Sequence, residues 1–210
     1  MDGTLISGTY GNMVWHHGIV QEYAKRHSIS FEDAYLYIKN LYDSIGETDI
    51  RWYEIEYWLK RFDLNISAIE LLNQYEDYII PTPGAKEVLK DLSARYTLIV
   101  ASNAARIFVE KELQHTGLDR YFSYSISATT DYRMVKKDRA FYELLCTNMK
   151  VEPHEVIHVG DHRVFDFEIP LSLGIDAYYY VNHSEKTDKK IEGIPNWRVL
   201  YSLPELLKRV

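Results

Sequence analysis

The chain has a single cysteine, Cys146, among 210 residues. No internal disulfide can form, and the usage fits a reducing compartment. Long hydrophobic runs are missing too, with none near the roughly 18 residues a membrane span needs. Positive charge is scarce: 24 Lys and Arg face 31 Asp and Glu, a net charge of -7. Nucleic-acid binding depends on clustered positive charge against a phosphate backbone, so that class of partner is not expected. A small phosphorylated metabolite stays open as substrate, because one lysine in a pocket can serve it. The expectation is a cytoplasmic protein with no membrane and no nucleic-acid partner.

Aromatic residues are abundant, with 18 Tyr and four Trp, many of them between Tyr10 and Tyr78. Each ring can be buried while its polar handle stays near water. Such a stretch reads as helix packing, as an aromatic pocket, or as the face of a homodimer, so monomer and homodimer both remain open.

Two grammars divide the chain. From 12 to 80 the apolar spacing is helical: Trp15, Ile19 and Tyr23 fall on one side of a helix over 12–27, and Trp52, Ile55, Leu59 and Phe62 repeat likewise. Ser30–Asp33 (SFED) and Ser67–Glu70 (SAIE) each set a hydroxyl three residues ahead of an acid, a helix-start signature. After Thr82–Gly84 (TPG), apolar strands alternate with helices. Strands are predicted at 96–103, 121–128, 155–159 and 177–181, with a final pair of elements at 198–201 and 203–209. That alternation predicts an α/β fold with a three-layer, Rossmann-like parallel sheet core. The core is expected at 1–11 and 81–210, with an inserted helical-bundle cap at 12–80. The polar stretch 181–196 reads as a solvated connection.

In an open parallel sheet, ligands gather beyond the carboxyl ends of the strands. Ser102 and Asn103 follow LIVA, Asp161 follows VIHVG, and Asp166 opens the next helix from the same side. Two carboxylates that close need a proton or a cation between them. A hard, oxygen-liking ion, most simply Mg2+, meets that need and leaves positions for a phosphate. Lys136, in MVKKDRAFY, is placed to neutralise a phosphoryl oxygen beside the Ser102 hydroxyl.

The opening DGTL, the strand ending in Ser102, Lys136 before its helix, and VGDHRVFD at 159–166 together resemble the four signature motifs of the haloacid dehalogenase superfamily, in order. The helical stretch resembles the cap of its phosphoglycolate-phosphatase-like branch, and the likeness runs over essentially the whole chain. It implies an Mg2+-dependent phosphatase that hydrolyses a small phosphomonoester through an aspartyl phosphate. Asp2 matches the general acid and base, Ser102 the phosphate-binding hydroxyl, Lys136 the neutralising lysine, and Asp161 and Asp166 the magnesium-side acids, with Asp2 also at the metal. Gly3, Thr4 and Asn103 are implied substrate contacts of the core. His16, His17, Arg51 and Tyr53 are the candidate contacts from the cap. Lys137 stands where the family has proline, and His162 and Phe165 also depart from its pattern.

The family's first motif is Asp-x-Asp-Gly-Thr, and Met1 stands at its x. The implied nucleophile is therefore expected immediately ahead of Met1, at the end of an apolar strand without which its neighbours on either side would lose their shared partner. The alternatives are a catalytically inactive, phosphometabolite-binding relative and, with less support, a haloacid dehalogenase. Nucleic-acid end processing would need a basic track that the composition does not offer.

Overall fold

The computed structural model describes residues 1–135, 137–181 and 191–210. Lys136 and most of the expected polar connection at 181–196, namely 182–190, lie outside them.

A tight turn opens the chain. Gly3 adopts a φ of +75°, which glycine accepts without steric cost, and its N–H donates to the Ile6 carbonyl at 2.7 Å. Two backbone hydrogen bonds then clasp this segment to the return of the chain: Ser7 N–H to the Ile80 carbonyl at 2.8 Å, and Thr82 N–H to the Leu5 carbonyl at 2.9 Å. Everything between the two arms of the clasp is helical. Helices α1 (Thr9–Met13) and α2 (Ile19–His27) are joined by a π-helical turn, Val14–Gly18, where a single uninterrupted helix is expected from the sequence. Then come α3 (Phe31–Ile45), α4 (Ile55–Arg61) and α5 (Ala68–Gln74). The capping predictions hold in detail. Ser30 accepts the Asp33 N–H at 3.1 Å, and Ser67 and Glu70 form a reciprocal capping box.

The second region alternates as its sequence predicts. Helix α6 (Ala85–Ser93) leads to β1 (Ile99–Ser102), α7 (Arg106–Thr116), β2 (Tyr124–Ser127), the short α8 (Ala128–Asp131) and α9 (Arg139–Met149). Strand β3 (Ile157–Gly160), a π-helical turn at Arg163–Glu168, α10 (Ile169–Ser172), β4 (Asp176–Tyr180) and β5 (Val199–Leu200) complete it. All these strand pairs are parallel, giving a Rossmann-like core with an inserted helical cap.

The sheet is in two pieces, β1–β2 and β3–β4–β5, where one continuous sheet is expected. Among the described residues, strand β1 pairs with β2 alone, and β3 pairs on one side only, with β4. The two pieces are nonetheless held by side chains. Lys137 donates to the carbonyl of Ala101 on β1 at 3.1 Å while pairing with Asp166 beyond β3. One apolar cluster runs through cap and core, from Ile6, Tyr10 and Trp58 to Val100, Val109 and Leu200.

Candidate active site

The carboxyl ends of β1 and β3 and the opening turn meet at one place. Thr4, almost fully buried, donates its hydroxyl to Asp161 Oδ1 at 2.8 Å, which fixes the turn against the end of β3. Ser102 ends β1, buried, with its oxygen accepting the Ala104 N–H at 3.1 Å. Asp2, Asn103 and Asp161 lie beside these groups in sequence, as the predicted site requires. Gly160 is obligatory: a Cβ there would come within 2.3 Å of Asp166 Oδ2.

Behind this mouth is a buried polar network that the sequence reading largely missed. Lys137 Nζ lies 2.5 Å from Asp166 Oδ1, both side chains under a tenth exposed. Lys136 lies outside the described residues, and the lysine found in the cleft is its neighbour. Asp138 caps α9 by accepting the Phe141 N–H at 3.0 Å and so fixes Lys137 at the helix mouth.

Asp166 also accepts the His162 backbone N–H at 3.1 Å and faces His158 Nε2 at 3.2 Å. Burial alone would raise its pKa. The Lys137 charge, and then His158, outweigh that and hold the carboxyl well below its usual range. Burial lowers His158, so the imidazole is neutral. Tyr142 donates its hydroxyl to the Phe165 carbonyl at 2.8 Å and lies 3.1 Å from the same Nε2. With that hydrogen used and Asp166 ionised, both neighbours of Nε2 are acceptors, which assigns the proton to Nε2.

Among the described residues no three His, Cys, Asp or Glu side chains form a metal cluster. Of the three acids expected at a metal, Asp166 is paired with Lys137. Asp161 differs: among the described residues it has no cationic side chain as partner, and burial pushes its carboxyl up. A buried oxygen donor set with uncompensated charge fits a hard cation, which commonly takes one or two carboxylates and fills its remaining positions with water and phosphate. Asp161 and Asp2 are the residues that would hold it.

Over the site, the cap and α7 enclose two adjoining cavities of about 180 and 240 Å3, both lined by Asp2, Gly11, Trp15 and Trp52. His16 and Tyr42 complete the first; Tyr53, Asn103, Phe108 and Glu112 wall the second. Trp15 stacks on Phe108 of α7 at 5.6 Å between ring centroids. His16 lines the first cavity, and partial burial lowers its pKa. His17 instead packs against Phe31 and Tyr75. Arg51 lines neither cavity. It is exposed and grips Asp49 with two nitrogens, at 3.0 and 2.6 Å, which lowers Asp49 to about 2.

Glu112 was not foreseen. It is 1% exposed, and neither carboxyl oxygen meets a hydrogen-bond donor. Burial, then the neighbouring charge of Asp2, pushes it up to about 10. Two carboxyls this close can hydrogen-bond only when one of them keeps a proton. Apart from its i+4 spacing from Phe108, the sequence gives no sign of this.

Residues 1–168 match the family model described as "Hydrolase: haloacid dehalogenase-like hydrolase". Two curated relatives, both called haloacid dehalogenase-like hydrolase domain-containing protein 3, are similar over part of the chain. The one from Xenopus laevis is 28% identical over 130 residues, 61% of this chain and 51% of its own. The one from Danio rerio is 33% identical over 102 residues, 49% and 41% respectively. The matched region thus spans about half the length of these relatives or less. Among solved structures, a HAD phosphatase from Thermococcus onnurineus superposes with a TM-score of 0.81 at 23% identity, over 100% of this chain and 94% of that one. A 2-haloacid dehalogenase from Pseudomonas syringae gives 0.67 at 20% identity, over 100% and 96%. At these identities the structures share the fold, and phosphatase and dehalogenase are both represented. With four fifths of its length matched by the family model, the chain belongs to the haloacid dehalogenase-like hydrolases.

Proposed function

We propose that this hydrolase is a Mg2+-dependent phosphatase acting on a small phosphomonoester. The observation that carries the reading is Lys137. A buried cation that bonds the end of β1 beside Ser102 and is anchored by Asp166 gives a phosphoryl group a fixed positive charge and a hydroxyl donor at the strand ends. On this reading Lys137 takes the role that the sequence assigns to Lys136.

The nucleophile in this proposal is an aspartate directly ahead of Met1, on a strand filling the place between β1 and β3. Support comes from the divided sheet, each of whose pieces offers a one-sided strand at the site. The carboxylate attacks phosphorus and the bond to the alcohol oxygen breaks. Asp2 gives its proton to the departing alcohol, then takes one from the water that attacks phosphorus and releases phosphate. Asp161 and the Asp2 backbone carbonyl would hold Mg2+, which would neutralise phosphoryl charge and leave the Asp2 carboxyl free to move the proton. Asp2 favours phosphate over haloacid chemistry, because halide departs without a proton and needs no general acid.

Paired assays of the chain and of a version extended upstream, using p-nitrophenyl phosphate and 2-chloropropionate with and without Mg2+, test the reading. Mg2+-dependent phosphate release that is lost in Asp161→Asn is the expected result. Chloride release without phosphate release would assign a dehalogenase. Binding of phosphate without turnover in either version would leave the inactive relative.

A further inference from the structure

The cavity above the site has an unusual charge pattern for a phosphatase that handles phosphorylated acids. Among the described residues lining its two lobes there is no lysine or arginine, and the acids are Asp2 and Glu112. The cap arginine that could have met a second anion, Arg51, is bound to Asp49 and exposed. The remaining wall is aromatic, with Trp15, Trp52 and Phe108 at its centre. Aromatic faces attract cations and repel the negative charge of a carboxylate. At the floor, both Glu112 oxygens and Asn103 Oδ1 are buried acceptors without a donor. Whether Glu112 is neutral or ionised, it keeps an acceptor oxygen, so the demand for a donor does not depend on its charge. A second carboxylate or phosphate on the alcohol part would find no lysine or arginine among the described lining residues and would face the acceptor oxygens of Glu112. A purely apolar alcohol would leave the acceptors unsatisfied.

Resting on the phosphatase reading, we infer that the cavity selects phosphate esters of amino alcohols, whose primary ammonium group lies among the aromatic rings and donates toward Glu112 and Asn103, and that it rejects phosphorylated acids.

Three near-isosteric probes separate the possibilities: O-phosphoethanolamine, n-propyl phosphate and phosphoglycolate, cationic, neutral and anionic at the far end. Their binding is followed through Trp15 and Trp52 fluorescence with Mg2+ present, and phosphate release is measured in parallel. The expected affinity order is phosphoethanolamine, propyl phosphate, phosphoglycolate, with about a twofold to thirtyfold gap between the first two, the range a cation over aromatic rings provides. Glu112→Leu, which removes both acceptor oxygens and is checked for folding by circular dichroism, should shrink the ratio of the first two. Phosphoglycolate binding as well as or better than phosphoethanolamine overturns the inference. An unchanged ratio in Glu112→Leu, or no binding of any probe at millimolar concentration, does so too. Failure of the phosphatase reading would look different: the binding order would stand, with no phosphate released from any ester by the chain or its upstream-extended version.

Discussion

Cap and core bury their polar groups by different rules. In the cap the largest buried side chains are Trp58 and Tyr10, and two buried hydroxyls are satisfied by backbone: Tyr10 donates to the Leu72 carbonyl at 3.1 Å and Tyr42 to the Trp15 carbonyl at 3.4 Å. In the core the strand ends bury ions, with Lys137 and the neutral His158 both meeting Asp166. Losing an atom from the cap opens a cavity whose cost scales with its size. Losing one partner from the core network strands a charge. A truncation in the cap should therefore cost in proportion to the volume removed, whereas removing one ion of the core pair leaves the other buried without its partner.

The sharpest way to break that comparison is Lys137→Met, which keeps much of the volume and removes the charge. It should cost about 3–5 kcal/mol in urea unfolding, since Asp166 is left buried without its cation, and it should abolish turnover. The pH dependence follows from the sign of the shift. Asp166 is depressed in the folded state, so its contribution is present above the ordinary value of 3.8 and lost as pH falls through the folded value. Parent and variant should thus converge in stability below that window. A second change, Asp166→Leu, made on Lys137→Met should recover some of the loss without recovering activity. Equal losses in the single and double variants would show that packing, and not charge, dominates this spot.

Next in size is Leu71→Ala in the cap. Leu71 is fully buried in the shared apolar cluster, and its truncation should cost about 2–5 kcal/mol through lost transfer energy and the cavity left behind. Unlike Lys137→Met it should leave affinity for vanadate close to the parent's. If vanadate binding fell as steeply as in Lys137→Met, the cap would be rigidly coupled to the phosphate pocket and the contrast between the regions would be wrong.

Glu112→Leu runs the other way. A buried carboxyl that accepts no hydrogen bond costs the folded state about 1–3 kcal/mol relative to an apolar residue of similar size, so the variant should be more stable near neutral pH. The Glu112 pKa is raised to about 10 from an ordinary 4.5. Its contribution is fully present below the ordinary value and lost as pH rises toward the folded one. The stability gap between variant and parent should therefore widen from pH 5 to pH 9. A gap that is constant with pH would mean that Glu112 is ionised in the folded protein.

What the sequence disclosed follows the same divide. Helical periodicity is a local property, so Trp58, Leu59 and Phe62 announce the cap, and SAIE at 67–70 announces a helix start that forms to the letter. Ser102, Asp161 and Asp166 were legible because strand ends are where a parallel sheet collects polar groups. The burial of Lys137 was not, because it depends on the turn into α9, which two adjacent lysines of the same chemistry do not reveal. His158 and Tyr142 sit 16 residues apart on β3 and α9, and Glu112 meets Asp2 across the whole cap insertion. Pairings over such separations depend on tertiary packing, which no local pattern encodes. The division of the sheet was likewise visible only in the backbone pairing.

The smallest expected effect tests whether the core network is graded or all-or-none. Tyr142 is 1% exposed and touches Asp166 only through His158, so it lies at the periphery of the charge network. Tyr142→Phe keeps the ring and its edge-on contact with His158, 5.3 Å between centroids, and deletes one hydroxyl. The Phe165 carbonyl loses its donor and His158 loses one acceptor, while Lys137 and Asp166 remain paired. A neutral hydrogen bond of this kind contributes about 1 kcal/mol, and the unfolding midpoint in urea should fall by a corresponding, modest amount. Because His158 then has Asp166 as its remaining acceptor, its Nε2–H should point more squarely at that carboxylate. Imidazole 15N shifts would register the change without any loss of turnover larger than a few-fold. A loss near that of Lys137→Met would mean that the hydroxyl holds the whole π-helical turn at Arg163–Glu168, through its bond to Phe165, and that the core network cannot be pared back from its edge.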